Sequence, residues 1–135
     1  MINCKHVSEK DRLKFLPKHV GLYMTRFETL VYEWMTRLDE EYTGGYWEFY
    51  ELDNGGFFLA PSEERDYKLY SINYNEKVVS NIAAGITVTL FALNSLMVIN
   101  NISDSMQSQL VDKYYALRDF AANCDEAAKI FSLID

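Results

Sequence analysis

The chain is 135 residues long, 49% hydrophobic and 15% aromatic, with a formal net charge of −7. That length suits one domain spanning 1–135 with its own core, and that composition excludes a disordered chain. The charge is unevenly placed: residues 1–38 carry seven basic and four acidic groups, or +3, and residues 39–66 carry nine acidic groups against Arg65 alone, or −8. Such a block argues against direct nucleic-acid binding there. It fits a basic partner, mimicry of nucleic-acid charge, or a plain solvated surface.

Cys4 and Cys124 stand near opposite ends, with no disulfide framework or metal-ligand spacing around them. Reduced thiols in a cytoplasmic protein are the expectation. The N-terminus has no charged-then-apolar signal pattern, so secretion is not indicated.

In chain order, Ser8-Glu9-Lys10-Asp11 resembles a capping box and opens a first helix that Pro17 should stop at its predecessor. Lys18-His19-Val20-Gly21 then reads as a turn. His19 has no histidine, cysteine or carboxylate at metal or catalytic spacing, so it reads as a satisfied structural histidine, while His6 falls in a frayed terminus. Residues 22–42 predict a long amphipathic helix. Phe27, Leu30, Val31, Trp34, Met35, Leu38 and Tyr42 repeat at helical spacing, and Glu33-Arg37 is a favourable outward pair.

The densest feature is residues 42–61, where seven of twenty side chains are aromatic and two Gly-Gly pairs bracket the run. Aromatics favour a pleated surface, Asn54-Gly55 tolerates positive φ, and Pro61 ends a strand. We read a β-hairpin of residues 46–52 and 57–60. Trp47, Phe49 and Glu51 lie on one side of it and Tyr46, Glu48, Tyr50 and Leu52 on the other, in a sheet covered on one face only. Residues 67–74 alternate partially and predict a third strand, with a short edge strand at 77–79.

From Val78 to Ser103 no residue is charged, but Asn81, Gly85, Thr87, Asn94 and others interrupt the run and no basic cluster flanks it. It reads as a buried core helix capped by Ser80, not a membrane span. Ser103 or Asp104 caps the next helix to about Ala122, and Asp125-Glu126 opens a last one over 127–134. The sum is an α+β protein with a small antiparallel three- to four-stranded sheet built on the 46–60 hairpin and four to five helices.

Motifs for nucleophilic, metal or phosphate chemistry are missing, so neither cofactor nor metal is expected. Glu48, Glu51 and Asp53 could serve a small carboxylate-dependent hydrolase only if two of them shared a pocket. Otherwise the residues yield an α+β fold with an acidic, tyrosine-rich patch.

Five ordered blocks stand out: Arg12-Leu13-Lys14-Phe15-Leu16-Pro17-Lys18-His19, Glu28 through Leu38, Gly44-Gly45-Tyr46-Trp47-Glu48-Phe49-Tyr50-Glu51-Leu52 with Asn54-Gly55-Gly56-Phe57, Ala83-Ala84-Gly85-Ile86, and Leu117-Arg118-Asp119-Phe120-Ala121. In these blocks the chain resembles the antirestriction family of ArdB and KlcA proteins over nearly its whole length. One departure is Cys124-Asp125, where that family often has His-Pro. The resemblance implies a protein carried by plasmids and other mobile elements that protects incoming DNA from type I restriction–modification, without catalysis. The resemblance does not name the molecular target; the partner we read is the restriction complex or an accessory host factor, with no direct nucleic-acid binding. The contact residues we single out are Tyr46, Glu48, Tyr50, Glu51 and Asn54, with Arg118 and Asp119 as a second candidate; an acidic mimic of DNA is the alternative.

Overall fold

The computed structural model describes residues 1–135. In chain order it comprises β1 (Cys4–His6), α1 (Arg12–Val20), α2 (Met24–Leu38), β2 (Trp47–Leu52), β3 (Phe57–Pro61), β4 (Tyr67–Tyr70), β5 (Glu76–Val79), α3 (Asn81–Met97), α4 (Asp104–Ala121) and α5 (Ala127–Ile134). The α+β class read from the sequence is the one observed. Its strands form two antiparallel sheets, β1-β2-β3 and β4-β5.

The β2–β3 hairpin has the register Trp47↔Pro61 through Glu51↔Phe57. Its turn works differently from a paired positive-φ turn. Only Gly55 enters the left-handed region, at φ 92°. Asn54 contributes through its side chain instead, accepting from the Gly56 N–H at 3.1 Å and donating to the Ala116 carbonyl at 2.9 Å. The turn is thereby tied to α4.

β3 is buried at all five positions, so both faces of the sheet are covered there, contrary to the one-face expectation. α1 and α2 pack on one side: Phe15 stacks on Phe49 at 4.9 Å, and Phe27 meets Phe57 edge-on at 5.5 Å. On the other side, Phe120 of α4 lies 6.0 Å from Phe58. α3 runs against the outer edge of β3, where its residue Gly85 admits contact that no larger residue allows. A Cβ at that position would stand 2.3 Å from the Leu59 carbonyl oxygen. One turn on, Thr89 accepts from the Leu59 N–H at 3.2 Å and donates to its carbonyl at 3.3 Å. Asn81 donates to the Pro61 carbonyl at 3.0 Å. Backbone polar groups of a buried edge are therefore satisfied by a helix.

That explains a correction. The strand predicted over 67–74 does not join the hairpin; β4 pairs only with β5. The outer edge of β3 is already occupied by α3, and the third strand of the main sheet is β1, paired with β2 from Cys4↔Leu52 to His6↔Tyr50. His6 is accordingly in a strand, not a frayed end. α1 also runs through Pro17 to Val20. The carbonyl that Pro17 leaves unpaired belongs to Leu13, which is 91% exposed and open to water, so the helix survives the proline. α2 ends at Leu38, not at 42, because Asp39 takes an extended backbone. The Asp39 carboxylate is buried and accepts from the Glu41 N–H at 3.0 Å and from Arg65 at 3.2 Å.

The charge-free segment becomes α3 as read, with twelve of its residues buried and the Ser80 hydroxyl accepting from the Ala83 N–H. No helix is long and apolar enough to cross a membrane. Ser103 caps α4 in the same way, and α5 starts where the sequence placed it.

Candidate functional site

α1 crosses the face of β2 that carries Phe49 and Glu51, and it delivers the basic N-terminal third onto the acidic strand. The Arg12 guanidinium sits 4.0 Å above the Phe49 ring and 4.7 Å from that of Tyr46, with Glu48 at 3.9 Å. His6, reaching across from β1, bonds the same Glu48 carboxylate through Nε2. Lys18 donates to Glu51 Oε1 at 2.8 Å, and His19 Nε2–H donates to that oxygen at 3.0 Å. Oppositely charged neighbours at a half-buried surface hold one another in place more than they stabilise.

His19 is buried between rings, stacked on Phe57 at 4.4 Å and edge-on to Phe15 at 4.8 Å. Burial, seconded by the positive charge of Lys113, lowers its pKa to about 4 against the pull of Glu51. Its Nδ1 is buried without a partner, so the ring is held as the neutral Nε2–H tautomer. The sequence reading of His19 as structural agrees with this geometry, although a carboxylate does stand beside it: Glu51, brought in from 32 residues away. Hydrogen bonds from Lys18 hold the Glu51 carboxyl below its usual range.

The singled-out residues are thus placed unequally. Tyr46, at 52%, is exposed, as are Asn54 and Asp119. Glu48 and Glu51 are half-buried and paired as described. Tyr50 lies half-buried between Phe58, stacked at 4.8 Å, and His6 at 5.3 Å. Asn54 holds the hairpin turn against α4. Arg118 is some way along α4 and is engaged with α5: it donates to Tyr114 Oη at 3.2 Å and Asp135 Oδ1 at 3.3 Å, and covers the Phe131 ring at 4.9 Å. Asp119 is exposed, its carbonyl accepting from Asn123.

Asp53 binds Asn3 through both carboxylate oxygens. The three hairpin carboxylates therefore have separate partners, and only Glu51 lines the cleft beside α1. They do not gather for acid–base chemistry. Of the nine acids in residues 39–66, Asp39, Glu48 and Glu51 are taken up in ion pairs within the chain, and Glu40, Glu41, Asp53, Glu63, Glu64 and Asp66 stay exposed. Sequence reasoning missed His6, Arg12 and Lys18 as members of this cluster. The signal was present in the segregation of charge between residues 1–38 and 39–66, opposite signs that meet once α1 folds over the hairpin.

With the geometry in hand, similarity to known proteins places the chain. The family model described as "antirestriction protein" matches residues 40–135. The chain belongs to the antirestriction protein family. It is 42% identical over 132 residues to an antirestriction protein KlcA of Escherichia coli, covering 96% of this chain and 92% of that protein, and 43% identical over 134 residues to another. It is also 34% identical over 115 residues to the putative antirestriction protein YubI of Escherichia coli K12, covering 84% of this chain and 79% of that protein. A solved structure matches with a TM-score of 0.92 at 42% identity, covering 99% of this chain and 95% of that one. It comes from work on KlcA and ArdB that describes a novel fold and antirestriction activity against type I DNA restriction systems in vivo but not in vitro.

Proposed function

We propose that this protein protects DNA from type I restriction–modification by binding another protein, without catalysis of its own. The observation that carries the reading is the near-complete structural match to the KlcA and ArdB proteins at 42% identity. Activity of those proteins in vivo but not in vitro favours a partner that purified restriction enzyme lacks, an accessory host factor, or a form of the restriction complex found only in the cell.

The contact surface we infer is the hairpin, with Tyr46, Glu48 and Glu51 at the seam where α1 meets it, Tyr50 on the opposite face of β2 and Asn54 at its turn; Arg118 and Asp119 form a second candidate. Tyrosines beside paired charges suit protein contact, since the ring supplies area at low entropic cost while the charges select the partner. Plating unmodified phage on a type I restricting host, with and without the protein, tests the function. The protein should raise plating efficiency, and equal efficiency would refute the reading. Tyr46→Ala should cut the protection about tenfold, equivalent to ~1.4 kcal/mol of binding, while the melting temperature stays unchanged.

A further inference from the structure

Between β1 and α1 lies a cleft of about 380 Å³ that shares His6, Lys18 and Glu51 with the hairpin seam and adds Lys5 and Lys14. Lys5, Lys14 and Lys18 line it, with Phe15 and Val7 as its apolar members. Two carboxylates also line it; Glu51 is paired with a cation, while Asp11 keeps its charge, so three lysines stand against two acids. Asp11 accepts from the Ser8 hydroxyl at 3.1 Å, and Glu51 accepts from Lys18 and His19. Lys5 and Lys14 make no ion pair with any carboxylate of the chain. Lys5 is also the strand partner of Glu51, whose charge is already spent on α1.

We propose that this cleft is the docking site for a short acidic segment, rich in Asp or Glu, of the protein on which this chain acts. The inference rests on the binding mechanism proposed above and names the chemistry of the partner's contact. Lys18 is already paired with Glu51, but Lys5 and Lys14 have no carboxylate of their own, so the lining keeps a net positive charge that gains from incoming carboxylates. Its volume accommodates a few side chains. Beside it runs β1, the outermost strand of its sheet and exposed at all three residues, so an extended segment has room to lie along it. A long polyanion such as duplex DNA is disfavoured, because its path would continue onto a molecule of net charge −7 whose acids concentrate in the neighbouring hairpin region.

The test titrates hexaglutamate into the isotopically labelled full chain and follows backbone amide resonances. Shifts should appear at residues 5–8, 14–16 and 18. They should vanish in Lys5→Glu/Lys14→Glu and persist in Lys10→Glu/Lys77→Glu, which changes the net charge equally from outside the cleft. In the phage assay the first double variant should lose about tenfold in protection and the second should lose nothing. Should the charge reversal fail to fold, Lys5→Gln/Lys14→Gln replaces it with the same expectations. The proposal is overturned if the peptide leaves those amides unmoved, if the two charge variants protect alike, or if a short DNA duplex shifts them at lower concentration than the peptide. Under each of these outcomes the native protein still protects phage, so the cleft can fail while the proposed function stands.

Discussion

His19 is a base kept where a proton is unwelcome, and that gives the protein a definite response to acid. Its pKa is 6.5 in ordinary surroundings and about 4 in the fold, so between those values the unfolded chain binds more protons than the native one. Stability is therefore full above about pH 6.5 and falls as pH drops toward 4, by about 3 kcal/mol when the loss is complete. The lowered Glu51 carboxyl adds a loss of the same sign at the acid end of that window. His19→Phe preserves the stacking on Phe57 but removes the titration, so urea unfolding at pH 5 and pH 7 should differ less in the variant than in the native chain. An equal difference would mean that the imidazole does not carry the effect. Gly85 offers a second measurement. Gly85→Ala drives a methyl into the Leu59 carbonyl and the Ala60 backbone, and should lower the unfolding free energy by about 2–3 kcal/mol.

Among the elements, those with internal repetition were legible in the sequence. α3, α4 and α5 were bounded to within about a residue, because a hydroxyl cap or an acidic pair marks each start and an apolar run fills the rest. The hairpin was legible through its aromatics and Asn54-Gly55. β1 was not: three residues, Cys-Lys-His, are too few for alternation, and they become a strand only because β2 offers an edge at the right register. The fate of Pro17 depended on the exposure of Leu13, a tertiary property. The sheet order depended on Thr89 reaching Leu59 from 30 residues away. The candidate site shares that limit. Glu48, Tyr50 and Glu51 could be picked out, but their partners on α1 and β1 lie 32–44 residues away and no local pattern announces them. Deleting residues 1–7 should test how much β1 contributes. The loss of its ladder, of the Asn3–Asp53 bonds and of buried Val7 should lower the melting temperature by about 5–10 °C.

For the molecule as a whole, one cluster of 32 buried hydrophobic residues runs from Val7 to Leu133 and draws on both sheets and all five helices. We expect it to melt as one unit. The two tryptophans report from different places, Trp34 stacked on Phe91 of α3 at 4.3 Å and Trp47 in β2 donating to the Tyr42 hydroxyl at 3.0 Å. Fluorescence and far-ultraviolet circular dichroism should give superimposable denaturation curves, and two separate midpoints would show independent parts.

The Thr89 hydroxyl on Leu59 carries a consequence for behaviour at high concentration. Because a helix stoppers one flank of the main sheet, stacking of copies strand upon strand cannot begin there. The opposite flank is a mere three residues with a lysine at its middle, a poor seed for a growing fibre. The main sheet therefore gives copies of the chain little to stack on, and its short open ribbon is left for partners of another kind.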